Sequence, residues 1–471
     1  MEVTVKIFSI SKVENGQVRS AVLNYDREAQ FMAKQPASTE SSPATNRHGI
    51  KLAVLCSVPF IMVLGNSMLI PVLPKMMKVM HLSLFQVGLI ITIFSIPAGI
   101  IIPFAGALSD RVGRKVIMAP ALVVYGLGGL GAGLSAWLFP HPYYWIMGSR
   151  LLQGIGAGGT YQLAMAVAGD MYQGKSRAGA LGILEASNGL GKVISPIAGS
   201  AIALLIWFAP FFVYGLLSFP IAAAVWFVIK EPKGQKAQGG FSEYWTGLTH
   251  TLAKKAGSIF ATFLGGAVVL FILFGVLSYL ADILEKNFGY GEFTRGLLIA
   301  VPVLASAITS YISGTVLQKR LANWARPIVA GGLMLIALSM AVEPFFATTI
   351  PWLALTILVF QGIGTGSVLP AINTLVTSAT TSKERGVVTS LYGSVRFFGV
   401  AMGPPLFAIA MSHRYWVFWG ASGLAAATAV LAWFLINEKQ MLPKKLRGGG
   451  TGGHKARFRP KSERTPRHKL S

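Results

Sequence analysis

Residues 150–177 read RLLQGIGAGGTYQLAMAVAGDMYQGKSR, and residues 358–385 read LVFQGIGTGSVLPAINTLVTSATTSKER. The two stretches align without a gap. Gln153-Gly154-Ile155-Gly156 recurs as Gln361-Gly362-Ile363-Gly364, and Lys175 and Arg177 recur as Lys383 and Arg385, all displaced by 208 positions. The same displacement carries Gly88-Leu89 onto Gly296-Leu297, Gly106 onto Gly314, Gly191 onto Gly399 and Pro196 onto Pro404. A single displacement serving matches from position 88 to position 196 is the mark of an internal repeat. The chain is two copies of one unit, running in the same direction.

What that unit is follows from composition. Of 471 residues, 53% are hydrophobic and 12% charged, with a mean hydropathy of +0.59. Soluble domains carry roughly 25% charged residues, so this chain lacks the charge to cover water-facing surfaces, and a water-soluble enzyme is excluded. Its apolar residues gather in twelve runs: 51–74, 84–108, 116–138, 143–168, 179–205 and 207–229, then 257–282, 293–317, 327–347, 351–376, 387–411 and 415–436. Each is near the ~20 residues that cross a bilayer core as a helix, the arrangement that satisfies every backbone group within its own segment. Many of the 53 glycines fall inside these runs, where small residues let membrane helices pack closely. The expected fold is an all-α membrane protein of twelve transmembrane helices in two six-helix repeats.

The excess of 41 Lys and Arg over 17 Asp and Glu invites a nucleic-acid reading, but its placement argues against one. Eleven cations lie in the last 33 residues, and most others sit in short loops between apolar runs. Loops after the second, fourth, sixth, eighth and tenth runs hold fifteen Lys and Arg, whereas the opposite loops hold Lys75, Lys78, Lys286, Arg295 and Arg414. The richer side faces the cytoplasm, which puts both tails inside a plasma membrane. Residues 1–50 and 438–471 are then polar, disordered cytoplasmic tails. Residues 51–230 and 257–437 are the two halves, and 231–256 a cytoplasmic linker in which 241–255 forms a surface helix. Met1 and Met32 both offer a start, the second opening MAKQPAS. Cys56 is the single cysteine, which rules out an intrachain disulfide.

The loop after the second run, Gly106-Ala-Leu-Ser-Asp110-Arg111-Val-Gly113-Arg114-Lys115, combines turn-forming glycines with an acid among cations. Two parallel six-span repeats are the architecture of the major facilitator fold, and this loop resembles the loop 2–3 signature of the major facilitator superfamily at every fixed position. The resemblance implies an ion-pair latch closing the two halves on the inside, with Arg114 reaching Asp170; the same charges also serve positive-inside topology. The second copy keeps Gly314 but has Gln318 and Lys319 where Asp110 and Arg111 stand, so an asymmetric latch is expected. Three further patterns resemble the twelve-span drug:proton antiporter branch. They are Leu64-Gly65-x5-Pro71-Val72-x-Pro74 in span 1, Arg150-x-x-Gln153-Gly154-x-Gly156 in span 4, and Gly191-x-x-x-Ser195-Pro196-x-x-Gly199-Ser200 in span 5. The span-5 pattern has serine at two places where that branch usually has glycine. A bent, close-packed helix accounts for it as readily as an antiport device does, and Gly403 and Pro404 repeat the feature in span 11.

Ionisable groups inside apolar runs are costly and point to function. Arg150 shares a helix face with Gln153, Gly154, Ala157 and Tyr161. Glu185, Asn188, Lys192, Ser195 and Gly199 follow 3-4-3-4 spacing, which puts them on one face. Thr389, Tyr392, Arg396, Gly399 and Gly403 make the matching stripe. Hydrogen bonding between helices explains such stripes as well as substrate contact does. Glu185 is the one acid deep within a run and the expected proton carrier, with Asp282 its rival; Asp282 and Glu343, near outer ends, are expected at the membrane interface. A cavity lined by Glu185, Arg150, Lys192 and Arg396 would be net positive. The function expected is secondary transport exporting small amphipathic compounds in exchange for protons, with no cofactor beyond the proton gradient. The expected partners are lipid, protons and a small molecule, and the expected state is a monomer. A carrier of a defined metabolite shares the fold. A receptor or membrane enzyme is the remaining alternative, although no Walker sequence, metal-ligand cluster or catalytic constellation appears.

Overall fold

The computed structural model describes residues 43–172, 174–231, 255–379 and 385–441. The linker helix expected at 241–255, both tails beyond these bounds and the side chains of Lys175, Arg177, Gln318 and Lys319 lie outside the described residues. Everything below concerns the described residues from Lys51 onward, together with the start of the first helix.

All regular structure among the described residues is helical, and each apolar run coincides with helix. Helix α1 (Pro43–Ser67) passes through a short 3-10 turn at Ile70–Val72 into α2 (Leu73–Met80). The start of α3 (Leu84–Val112) is set by a capping box: Ser83 accepts from the Gln86 backbone while the Gln86 side chain accepts from the Ser83 backbone. At 29 residues, α3 is about 44 Å long, more than enough to span a ~30 Å core. Its exposed stripe is Ile96, Ile100, Phe104 and Leu108, while Ser95, Ala98, Ile102 and Ala105 face inward. Large apolar side chains on the outside suit lipid, and mostly small ones within let the helices pack closely. Exposed Trp137, Tyr144, Trp145, Trp352 and Trp416 gather at the span ends opposite the Gly106–Lys115 loop, forming an interfacial aromatic belt.

Next come α4 (Arg114–Leu138), α5 (Tyr143–Gly158), α6 (Tyr161–Met171), α7 (Gly174–Ala203) and α8 (Ala209–Val228). Span 4, read from the sequence as one run, is broken between α5 and α6 at Gly159 and Thr160. The second half comprises α9 (Ala256–Lys286), α10 (Glu292–Phe346), α11 (Pro351–Ser378), α12 (Arg385–Ala408) and α13 (Ala410–Leu435), followed by the short α14 (Glu438–Met441). Helix α10 is continuous by hydrogen bonding yet holds two spans. A Cβ on Gly366 would stand 2.3 Å from the Ser306 carbonyl, and one on Gly364 would stand 2.7 Å from that of Gly332. In a straight helix Ser306 and Gly332 would lie about 39 Å apart, so α10 doubles back between them.

Nine described segments are long and apolar enough to cross a membrane, two of them within α10. Segments 143–171, 174–203 and 385–408 are helical but outside that set, and they carry Arg150, Glu185, Lys192 and Arg396. The repeat read from the sequence is also a repeat of contacts. A Cβ on Gly154 would stand 2.2 Å from the Phe94 carbonyl oxygen, and one on Gly362 would stand 2.2 Å from that of Pro302. Gly158 meets the Ala98 carbonyl as Gly366 meets that of Ser306. All four residues of the first half map onto the second by 208. Glycine is required at these points because a side chain would collide with the neighbouring backbone.

Candidate functional site: a cationic cavity between two latches

The loop between α3 and α4 turns at Gly113, whose φ of +113° few residues but glycine adopt. The turn brings Arg114 within 3.2 Å of both Asp110 and Asp170. The Asp170 contact is the one expected, but both pairs lie inside the first half, so these ion pairs do not themselves bridge the halves as the expected latch would. Ser109 donates to the Gly106 carbonyl, and Arg111 is exposed. The other Asp110 oxygen lies 3.7 Å from where a Gly386 Cβ would be, in the first turn of α12. An acid at a helix N-terminus is attracted by the unpaired N–H groups there, so Asp110 joins the two halves at this end. Glu231 completes the loop by accepting from the Lys115 backbone N–H, while Lys115 lies 5.4 Å over the Trp226 ring. The second half repeats this device: Glu438 accepts from the Arg326 backbone at 2.6 Å, and Arg326 stacks 4.6 Å over Trp433. Burial pushes the Glu438 carboxyl above its ordinary range, with the Arg326 N–H and charge pulling it back. Neither glutamate was singled out above, although WFVIKE at 226–231 and WFLINE at 433–438 is a legible repeat.

At the opposite end α2 carries Lys75 and Lys78 to the other half. Lys75 pairs with Glu292 at 3.0 Å, and Lys78 pairs with Glu285, which also takes the buried Arg295. The expectation that Asp282 and Glu343 sit at the interface is corrected here. They are 0% and 2% exposed, because α9 and α10 turn both into the protein. Asp282 is 3.0 Å from Lys286, and Glu343 Oε2 has no hydrogen-bond partner among the described residues.

Between the two ends lies a narrow cavity of about 60 Å³. Asn188 and Lys192 of α7, Gln162 and Tyr161 of α6, and Arg396 of α12 supply its polar wall; Phe94, Phe274 and Phe397 supply much of the apolar one. Glu185 stands just behind: the Tyr161 hydroxyl donates to it at 2.6 Å and the Asn373 amide at 3.4 Å. The stripe from Glu185 to Gly199 does face inward, but its members divide the work. Gly191 packs on Phe60 of α1 and Gly199 on Met68 just after it, Ser195 donates back to the Gly191 carbonyl, and the Pro196 carbonyl packs on Gly296 of α10. In α12, Gly403 packs on Phe271 and the Pro404 backbone packs on Gly88.

Arg150 and Gln153 do not line the cavity, which corrects the four-residue lining drawn from the sequence. Arg150 is fully buried where spans 1, 2 and 4 meet. It donates to the carbonyls of Gly65 at 2.8 Å and Ile90 at 3.2 Å, to Gln153 at 2.7 Å and to Asn66, and lies over the Phe94 ring. It therefore positions Asn66 and Phe94, which do reach the cavity. The break after Gly158 reorients Tyr161, so the face it seemed to share with Arg150 is not continuous. Among the described residues no three potential metal ligands come together.

The profile of the Major Facilitator Superfamily matches residues 55–404 and, again, 337–467. The chain belongs to the Major Facilitator Superfamily. Among curated relatives of this superfamily member, the Bacillibactin exporter of Bacillus subtilis (strain 168) is 36% identical over 398 residues, covering 84% of this chain and 98% of its own. Multidrug efflux protein YfmO of the same organism is 29% identical, covering 77% of this chain and 86% of its own. The fold is shared with an inward-facing bacterial homolog of the human lysosomal transporter Spinster, at a TM-score of 0.62 and 19% identity, covering 85% and 98% of the two chains. These similarities put the chain in the drug-efflux branch of the superfamily, as a multi-pass membrane transporter of small molecules.

Proposed function

We propose that this transporter exports small amphipathic compounds across the plasma membrane in exchange for protons, by alternating access. It works as a monomer with both tails in the cytoplasm, needs no cofactor beyond the proton gradient and performs no chemistry on its cargo. The efflux names of its relatives support the direction. The observation that carries the coupling is Glu185, an acid inside the bundle whose hydrogen-bond donor, Tyr161, lines the cavity. A substrate resting on Tyr161 changes what that hydroxyl can donate, and so the proton affinity of Glu185; by linkage a proton on Glu185 changes substrate affinity in equal measure. A cavity of about 60 Å³ is far below the ~300–1,000 Å³ of drug-sized sites. Substrate is admitted when the halves part at one end.

The test is substrate-driven proton flux in proteoliposomes carrying Glu185→Gln, with a panel of fluorescent amphiphiles as substrates. The variant is expected to bind substrate and to lose proton flux. Unchanged flux removes Glu185 from the mechanism.

A further inference from the structure

The cavity carries a charge that export alone does not require. Lys192 and Arg396 line it, and no carboxylate does. The two cations come from different halves and are near enough to repel each other. Lys192 has no hydrogen bond or ion pair among the described residues, and Arg396 has only the face of Tyr392, 5.3 Å away. Glu185 attracts both but forms no salt bridge with either; its oxygen is engaged by Tyr161 and Asn373. Cations withdrawn from water need a partner, and here the protein supplies an incomplete one. A ligand bearing a negative group completes it, whereas a ligand cation meets two like charges in a low-dielectric space.

We propose that this cavity takes amphipathic organic anions. The acidic head, a carboxylate, sulfonate or phenolate, sits between Lys192 and Arg396, and the ring system packs on Phe94 and Phe397. The proposal rests on the export reading and deepens it. Amides at Asn188 and Gln162 remain to orient polar substituents, since each offers both donor and acceptor. An anion leaving a cell with a negative interior also moves down the electrical gradient, so the charge preference and the direction of transport agree.

Three fluorescent naphthalene probes sharing one ring system, a sulfonate, its neutral sulfonamide and a quaternary ammonium, separate the possibilities. Export is followed in proteoliposomes with an imposed membrane potential and pH gradient, and binding by the shift in thermal unfolding. The sulfonate is expected to be bound and exported about ten- to a hundredfold better than the ammonium, the range that charge-assisted hydrogen bonds support. Lys192→Gln and Arg396→Gln should each erase most of that preference. Lys192→Arg should keep it, which guards against a variant that merely misfolds, and Lys192→Glu should shift it toward the ammonium. Equal or better export of the ammonium overturns the charge assignment and leaves the export reading standing. Correctly inserted protein that moves none of the three probes overturns both.

Discussion

A guanidinium buried in the middle of a helix bundle needs a full set of acceptors, and Arg150 finds them on three spans. Lysine carries one charge but not the planar fork. Arg150→Lys is therefore expected to leave at least one buried acceptor unmet and to lose about 1–3 kcal/mol, read as a lower unfolding temperature in detergent. Any residual transport should keep its charge preference; a variant that melts like wild type yet transports nothing would return Arg150 to the transport machinery. Gly154 and Gly362 give a paired test of the repeat. Gly154→Ala and Gly362→Ala each push a methyl onto a carbonyl oxygen at 2.2 Å and should cost about 1–3 kcal/mol from overpacking. Gly148→Ala, with nothing within 4 Å, should be silent in the same melt. Equal tolerance at all three would mean that the contacts do not repeat. The charged candidates were legible because a charge in an apolar run stands out. Which of them meet the cavity was not legible, because that depends on how three spans converge on Arg150 and on a break at Gly159 that no spacing rule anticipates.

Helix ends and the short segments between them carry the contacts that close the molecule. At the Gly106–Lys115 loop, Asp110 reaches the other half as a charge at the N-terminus of α12, while its ion pair with Arg114 stays inside the first half. An acid at a helix N-terminus contributes about 0.3–1 kcal/mol and up to ~2 when partly buried. Asp110→Asn removes the charge and keeps the shape. The resting equilibrium should shift away from the state closed at this end by roughly two- to thirtyfold, and transport should slow while substrate binding survives. Distances between spin labels on α3 and α12 report the first effect. Normal transport at normal expression would contradict the latch. The Arg114–Asp170 contact beside this latch was anticipated from the motif, although it lies within one half. The opposite latch was not, since Lys75, Lys78, Glu285 and Glu292 are ordinary loop-end charges until the fold sets α2 against α9. Segments 174–203 and 385–408, read as apolar runs in the sequence, are the least apolar of the long helices, because the residues that make them useful also lower their hydropathy.

Taken together, the contacts describe a molecule fastened at both ends around a cavity too small for its cargo. Alternating access requires the fastenings to open in turn, with the halves rocking about the contacts between them. Glycines make much of that pivot: Gly99 against Ser394 and Phe398, and Gly296 against Pro196 and Ser200. The energy needed is modest, because the lysine pairs that hold the far end are partly exposed and, if the cargo is an anion as proposed, each exported negative charge gains about 2.3 kcal/mol per 100 mV of potential. If the far-end pairs are a gate and not ornaments of the surface, their opening must be obligatory in every cycle. Cys56 is the single cysteine, so Cys56→Ser gives a background free of thiols into which Lys75→Cys and Glu292→Cys can be placed, a pair that shares no buried partner. A bismaleimide linker a few ångströms longer than the native pair should cross-link the two positions and stop export almost completely, because release on that side is blocked. Each single-cysteine variant treated in the same way should keep export within about two- to threefold, since one surface pair contributes little. A cleavable linker should restore activity on reduction. Export that continues in quantitatively cross-linked protein would show that this end never opens, and would confine the moving parts to the side of Asp110.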